Sequence, residues 1–218
     1  MAEGETGAAD RRRRPRRPDQ LAGGPHGMSR EQVETNQTSR ILTAMSELIA
    51  EHGYERTTVK LVISRAGVSR KTFYDLRGGR EQWFVVICEA AGDQLLARVD
   101  AACAANASPA ERAQRAAATL VDFCLDDPAS ARACFVETLA ASDRARAWRE
   151  ALLDDLARTI ARAAAANGDR RAEQAARAAI GAVIELAGRA PERLDRHYAT
   201  ALVAGMLASG GETGGAIE

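Results

Sequence analysis

The sequence predicts an all-α protein, and three features of its composition support this. Its 218 residues, 46% of them hydrophobic, are enough for one large domain or two small ones. Only 4% of the residues are aromatic. Alanine is abundant, whereas runs of β-branched residues are scarce. We therefore expect a three-helix N-terminal head followed by a helical bundle, with about nine helices in all.

The N-terminal stretch is predicted to be a disordered arm. Residues 1–36 are rich in Gly, Pro, Arg and Glu and show no apolar periodicity, so they cannot offset the entropy of ordering. Six arginines lie between Arg11 and Arg17. This run could contact DNA phosphates or a minor groove, or remain a solvated tail. Met28 offers an alternative start, which would place residues 1–27 upstream of the protein.

Three short helices are predicted to follow, within residues 37–80. The first has one apolar face and ends at Gly53. Thr57 or Thr58 offers a hydroxyl group to cap the second helix, which stops at Gly67, and Ser69 caps the third. The inward positions of the three helices are Ile41, Leu42, Met45, Leu48, Ile49, Val59, Val62, Ile63, Val68, Phe73 and Leu76.

Residues 81–208 are predicted to form a helical body, with a flexible tail at 209–218. After Gly78-Gly79, Arg80 begins a long fourth helix. Caps and prolines then divide the remainder into five more helices, with breaks at Asn106, Ser108-Pro109, Asp126-Asp127-Pro128, Ser142, Asn167-Gly168 and Ala190-Pro191.

Charge is distributed unevenly along the chain, although the formal net charge is zero. Residues 38–80 carry eight basic and four acidic side chains, and residues 81–218 carry 15 basic and 20 acidic ones. A basic front and an acidic back suit a polyanionic partner on one side of the molecule.

The second and third helices, joined by a tight turn at Gly67, indicate a helix-turn-helix, whose second helix enters the major groove of DNA. The residues resemble, in order and spacing, the DNA-binding domain of the TetR family of bacterial regulators. The resemblance covers about residues 37–90 and rests on Arg40-Ile41-Leu42, Gly53-Tyr54, Thr57-Thr58-Val59, Ala66-Gly67-Val68-Ser69 and Thr72-Phe73-Tyr74.

The resemblance implies which residues contact DNA. These are Thr58, Ser69, Arg70, Lys71, Thr72, Tyr74 and Arg80, with Arg70 and Lys71 best suited to guanine edges or phosphates. Thr57 and Thr58 could equally act only as helix caps. Leu61 and Arg77 depart from the family, which has an acidic residue and an aromatic residue at these places. Arg77 could contact the DNA backbone or simply face solvent.

The body of such proteins binds a small molecule and dimerises, so the resemblance implies both properties here. Candidate pocket residues are the aromatics Phe84, Phe123, Phe135 and Trp148, which could equally be ordinary core. Candidate polar contacts to a ligand are Thr119, Asp122, Glu137 and Asp143. The last two long helices resemble a dimer interface through Ile180, Val183, Ile184, Leu186, Leu202, Val203 and Met206.

Other classes of protein find little support in the sequence. The four cysteines lack metal-site or redox spacings and are expected to be buried, reduced thiols. His26, His52 and His197 lie too far apart in the pattern to suggest catalysis, so we expect neither an enzyme nor a cofactor or metal. No stretch resembles a membrane span or signal peptide, which favours a cytoplasmic protein.

The sequence thus predicts a transcriptional regulator, most simply a dimeric repressor that binds a palindromic DNA operator. A small molecule of unknown identity would bind in the body, change the spacing of the two heads and release DNA. A helical interaction module that has lost DNA binding is the alternative.

Overall fold

The computed structural model describes residues 29–104, 107–164, 170–189 and 195–212. Within these ranges every regular element is a helix and no strand is present, which confirms the all-α prediction. Nine successive helices are described: α1 (Arg30–His52), α2 (Val59–Ala66), α3 (Arg70–Arg77), α4 (Arg80–Ala104), α5 (Pro109–Asp126), α6 (Pro128–Arg132, Ala133–Glu137 and Thr138–Ala141 without interruption), α7 (Asp143–Ala164), α8 (Arg170–Arg189) and α9 (Arg196–Glu212).

Helix α1 begins earlier than expected, so the predicted arm boundary at residue 36 is wrong. Ser29 Oγ accepts a hydrogen bond from the Gln32 backbone N–H at 3.2 Å, and the Gln32 side chain accepts from the Ser29 N–H at 2.8 Å. This reciprocal capping box satisfies two N–H groups that a helix start leaves free, so it stabilises a polar first turn that has no apolar face. Residues 1–28, including the arginine run, lie outside the described residues.

The far end of the chain also differs from the expected boundary. Helix α9 continues to Glu212, past the predicted start of the tail at residue 209, and residues 213–218 lie outside the described residues. The breaks at Ser108-Pro109 and Asp127-Pro128 are confirmed, since Ser108 and Asp127 cap α5 and α6 with their side chains. The breaks predicted at Asn106, Asn167-Gly168 and Ala190-Pro191 also lie outside the described ranges.

The head consists of α1, α2 and α3 around a small apolar core. Ile41, Met45 and Leu48 of α1 are buried, as are Val62 of α2 and Phe73 of α3. Helix α4 packs against this head with its first turns and continues into the body, where it contacts α5 and α7. Helix α4 therefore links the head to the body, as does α1, which also contacts α6.

The body packs α5 between α4 and the α8–α9 pair, with α7 closing the bundle. Its interior is built largely from alanine, with Ala116, Ala117, Ala176 and Ala179 fully buried. Small side chains allow helices to approach closely. Gly92 shows this most clearly, because a Cβ atom there would lie 2.7 Å from Cζ2 of Trp148.

The four cysteines are free and buried, as predicted. Hydrogen bonding to Cys134 and burial raise the pKa of Cys88, and burial raises the pKa of Cys124 to about 12. The Cys88 and Cys124 thiols are therefore protonated at neutral pH, and all four cysteines serve as small apolar side chains of the core.

Neither a membrane-spanning helix nor a metal-binding cluster is found in the described ranges. No described helix is long and apolar enough to cross a membrane. No cluster of three or more His, Cys, Asp or Glu side chains could hold a metal ion there.

Candidate nucleic-acid interface and ligand cavity

The N-terminal half of α3 forms an exposed polar surface. Gly67 takes the left-handed conformation (φ 65°, ψ 37°) that ends α2, and Ser69 then caps α3 by accepting a hydrogen bond from the Thr72 N–H at 2.9 Å. Arg70, Lys71 and Tyr74 are exposed on the helix that follows. Turn and cap together present cationic and hydroxyl side chains at the start of a short helix, as a recognition helix does.

Several hydrogen bonds and an ion pair hold α3 and the turn before it on the side that faces the protein core. Phe73 is fully buried, and its carbonyl oxygen accepts a hydrogen bond from Nε1 of the buried Trp83 at 3.1 Å. Arg40 donates from Nη2 to the Gly67 carbonyl at 3.0 Å. Arg65 of α2 forms a two-pronged ion pair with Glu51 of α1, at 2.6 and 2.7 Å. The recognition helix is thus fixed relative to both α1 and α4.

Arg80 is bound to the protein's own backbone. Its Nη1 lies 3.3 Å from the carbonyl oxygens of Tyr54 and Glu55 and 3.1 Å from that of Thr57. Its guanidinium also lies 4.2 Å from the centre of the Tyr54 ring. These contacts stabilise the loop between α1 and α2, so the structure gives Arg80 a supporting role. A phosphate contact by this residue stays a prediction.

The two threonines before α2 have different roles. Thr58 caps α2 by accepting from the Leu61 N–H at 3.3 Å, and it remains exposed. Thr57 is fully buried and donates to the Gly53 carbonyl at 2.8 Å. Of the pair, Thr58 is the one that DNA could reach.

Arg77 and Leu61, the two departures from the family pattern, lie in different surroundings. The Arg77 guanidinium lies 6.0 Å from the centre of the Trp83 ring, so this arginine packs near the tryptophan. Leu61 is 42% exposed on the outer side of α2. Neither departure disturbs the packing of Phe73 or Val62 in the head core.

The basic side chains on the exposed surface of α3 differ in their ion pairs. Lys71 pairs with Asp75 one turn later on α3, whereas no ion pair of Arg70 is found among the described residues. Two further basic residues, Arg56 in the loop before α2 and Lys60 on its first turn, are exposed as well, although the family resemblance did not assign them to DNA. The local basic excess was the signal that could have identified them.

A cavity of about 600 Å³ lies in the body where α6 passes α5, α8 and the end of α1. Most of its walls come from α6, including Arg132 and Phe135. Cys124 of α5, Ile184 and Ala187 of α8 and Ala50 of α1 complete it. Its size and apolar lining suit a small molecule.

The aromatics expected around a pocket are dispersed in the structure. Phe135 lines the cavity, and Phe123 packs against it edge to face with ring centres 6.0 Å apart. Phe84 is fully buried against Tyr54 at the junction of head and body. Trp148 packs over Gly92, on another side of the bundle. Helical spacing shows that such residues face inward, but it does not show which gap they face.

The suggested polar contacts are also dispersed. Thr119 donates to a carbonyl of its own helix, Asp122 pairs with Arg196, and Asp143 pairs with Arg146. None of the three lines the cavity. Glu137 is buried next to it, with its side chain 8% exposed.

Glu137 joins the cavity wall to the head. Its Oε1 accepts from Arg132 Nε at 2.8 Å, and its Oε2 accepts from the Tyr54 backbone N–H at 2.7 Å. Residues five apart in an ideal α-helix point about 140° away from each other. The π-helical turn at Ala133–Glu137 lies between Arg132 and Glu137, and its wider winding lets them meet. Such a turn leaves no mark in the hydrophobic pattern, so the pair could not be predicted from the sequence.

The expected dimer residues divide into two sets. Ile180, Val183 and Val203 are buried within the chain itself, so they cannot form an interface, and their assignment is wrong. Both inner and outer stripes of α8 and α9 are apolar, which is why the pattern did not separate them. Leu186 and Leu202 are 38% and 39% exposed, Ile184 and Met206 are half-buried, and Tyr198 adds an exposed ring.

Comparisons with known proteins agree with this geometry. Residues 41–81 match the profile of "Bacterial regulatory proteins, tetR family". No curated protein sequence matches the chain. Three solved structures of similar fold are a transcriptional regulator from Rhodococcus sp. Rha1, the regulator FadR from Bacillus subtilis in complex with stearoyl-CoA, and the TetR family regulator PfmR from Thermus thermophilus.

These three structures resemble nearly the whole fold. The Rhodococcus protein is 25% identical with a TM-score of 0.65, and the alignment covers 79% of this chain and 96% of that one. FadR is 19% identical with a TM-score of 0.67, and its alignment covers 79% of this chain and 98% of FadR. PfmR is 20% identical with a TM-score of 0.63, and its alignment covers 77% of this chain and 97% of PfmR. Residues 41–81 thus match the tetR-family profile, and the chain as a whole has the fold of these regulators.

Proposed function

We propose that this chain is a dimeric, cytoplasmic repressor that binds a palindromic DNA operator and is released from it by a small molecule. The observation that carries the proposal is the exposed N-terminal surface of α3, with Arg70, Lys71 and Tyr74 on a helix fixed from behind by Trp83 and Arg40. A recognition helix needs both exposure of its donors and a rigid support. We infer that regulation, and no catalysis, is the role of the chain.

A second copy of the chain fits the outer faces of α8 and α9. Leu186, Tyr198 and Leu202 are large apolar side chains left exposed there. A Cβ at Gly181 or Gly205 would meet nothing within 4 Å, so another helix could approach these positions closely. Two heads joined in this way would reach half-sites roughly 34–36 Å apart, one turn of DNA.

The cavity beside α6 is the proposed effector site. It is apolar, and its volume is typical of small-molecule sites. Its wall contains Arg132, whose partner Glu137 reaches the head. The Bacillus subtilis structure of similar fold was solved in complex with stearoyl-CoA. That complex supports an effector for this chain that has an apolar part.

Selection of bound DNA from a random pool tests the proposal. We expect an inverted repeat whose half-sites are about one helical turn apart. Arg70→Ala should weaken binding of the selected site by about 1–3 kcal/mol and relax the sequence preference at one position. Arg158→Ala is the matched control, because Arg158 is an exposed arginine of the body. Recovery of no preferred sequence would contradict DNA recognition and favour an interaction module.

A further inference from the structure

The cavity next to α6 combines apolar walls with one cation. Among the described residues that line it, Arg132 is the only charged one, and its side chain is 54% exposed. Its Nε pairs with Glu137. No other hydrogen bond of this guanidinium is found within the described ranges. Its Nη2 lies beside Gly53, 3.5 Å from where a Cβ atom would stand, so an anion engages both terminal amino groups when the guanidinium turns into the cavity. Glu137 itself is turned away from solvent, with 8% of its side chain exposed.

We infer that the occupant of this cavity is an amphipathic acid, with an apolar body against Phe135 and Ile184 and an anionic group on Arg132. A planar guanidinium binds a carboxylate or phosphate through two parallel hydrogen bonds, which a neutral head group cannot reproduce. The apolar walls exclude a small, fully hydrated anion, because its polar atoms would be left without partners there. This inference rests on the proposed function, since it defines the ligand of the proposed effector site.

The same arginine places the acid in competition with a contact to the head. Glu137 has two partners, Arg132 Nε at 2.8 Å and the Tyr54 N–H at 2.7 Å. An anion that draws Arg132 into the cavity leaves Glu137 as a buried charge with one partner fewer, which is unfavourable. The carboxylate then gains by moving toward solvent, and this movement breaks its bond to Tyr54.

Glu137 contacts the loop between α1 and α2, which is tightly packed, so a movement of Glu137 displaces this loop. Gly53 has a φ of +79°, and a Cβ there would lie 3.1 Å from Glu137 Oε1. The carbonyls of Tyr54 and Thr57 in this loop are held by Arg80, which begins α4. The loop ends at Thr58, which caps α2. Acid binding and DNA binding therefore oppose each other through Glu137 and Tyr54, and by linkage each weakens the other equally.

Calorimetric titration with matched probes tests the ligand class. The probes are decanoate with 1-decanol, and 2-naphthoate with 2-naphthol, so each acid is compared with a neutral molecule of the same apolar body. We expect at least one acid to bind about tenfold or more tightly than its neutral counterpart. Arg132→Gln should bring that ratio close to one while leaving the affinity for the neutral probe unchanged.

Arg158→Gln is the control for this substitution. The Arg158 side chain is 56% exposed, similar to that of Arg132. It pairs with Asp155 on α7 and does not line the cavity. It should retain the wild-type preference for the acid. Melting curves followed by circular dichroism show whether each variant is folded. Equal binding of acid and neutral probe by the wild-type protein, or no binding of either acid, would overturn the inference.

A second measurement tests the path to the head. The wild-type protein should lose operator affinity in saturating acid by about tenfold. Glu137→Gln keeps an oxygen that can accept from Tyr54 but removes the charge that Arg132 neutralises. This variant should bind the acid at least as tightly as the wild type, while its operator affinity no longer responds to the acid. An unchanged response in Glu137→Gln would contradict the coupling.

The two proposals fail in different ways. A protein that binds no DNA sequence preferentially would contradict the proposed function, whatever the titrations show. A protein that binds its selected operator but shows no preference for either acid would leave the proposed function intact and overturn the ligand class.

Discussion

The head and the body of this protein are held together by different means. The head depends on individual hydrogen bonds and special backbone conformations. Its loops contain all three glycines of positive φ found in the described residues, at Gly53, Gly67 and Gly78. The body also has such bonds, as between Arg149 and the Phe135 carbonyl, but buried alanines and Gly92 set the distances between its helices. The family profile accordingly matches residues 41–81 and not the bundle.

This difference indicates which amino-acid substitutions each region can tolerate. Arg40 of the head has a defined atom as its partner, and so has Trp83 in the first turn of α4, which packs against the head. Few replacements would preserve either role. A bundle residue can be exchanged for another of similar volume with little loss. Ligand cavities and interfaces can therefore diverge in the body while the head keeps its residues.

The two tryptophans provide the sharpest comparison of the regions. Trp83→Ala removes a fully buried ring and leaves the Phe73 carbonyl without its donor, so the free energy of unfolding should fall by about 3–5 kcal/mol. Trp148→Ala removes a half-buried ring in the body and should cost less than about 3 kcal/mol. Urea unfolding followed by circular dichroism measures both. Equal losses would show that the regions do not differ in this way.

The proposed dimer face gives the next largest effect. Leu202→Glu places an unpaired charge in the interface of α8 and α9 and should weaken dimerisation about 100-fold, or ~2.7 kcal/mol. Leu139→Glu is the control, because Leu139 is 50% exposed on α6, away from that face. Light scattering over a dilution series gives the dimer constants. If Leu202→Glu remains as dimeric as Leu139→Glu, the interface lies elsewhere.

Gly92 tests whether volume controls the body. The Cβ of Gly92→Ala would lie 2.7 Å from Trp148 Cζ2 and 3.2 Å from Leu152 Cδ2, so we expect a loss of about 1–2 kcal/mol in spite of alanine's better helix propensity. Adding Trp148→Phe should recover much of this loss by removing the ring atom that is contacted. Thermal and urea unfolding of the single and double variants measure it. No recovery would mean that the backbone, and not the ring, resists the methyl group.

The smallest effect is expected at Arg77. Since its guanidinium packs near the Trp83 ring, Arg77→Phe should change the free energy of unfolding by less than about 1 kcal/mol. The slope of log affinity against log salt concentration for DNA should stay the same. A slope that flattens by about 0.9, one phosphate's share, would identify Arg77 as a contact to the DNA backbone.

Local chemistry explains how far the sequence could predict the head. Gly67, Thr58 and Ser69 act through their own conformations and caps, so their places could be predicted from residue type alone. The start of α1 was predicted too late because the Ser29–Gln32 capping box is polar and gives no apolar signal.

The candidate sites of the body were less predictable, because they depend on contacts between distant residues. Glu137 meets Tyr54 across 83 positions of sequence, and only the fold brings the two together. Ile180 and Leu202 are equally apolar, yet one is 1% and the other 39% exposed. Residue type does not distinguish a side chain that faces its own core from one that faces a partner.

The π-helical turn at Ala133–Glu137 gives α6 one residue more than an ordinary α-helix needs over the same span. Deleting one residue within this turn would leave Glu137 four positions after Arg132 in an ordinary α-helix, about 40° away around the axis. The two side chains could then still meet, and Glu137 could still reach Tyr54. Such a deletion variant should fold, bind DNA and keep its response to the effector, as paired melting and operator-binding measurements would show. The turn is thus a place where α6 can lose a residue and keep the contact between the cavity wall and the head.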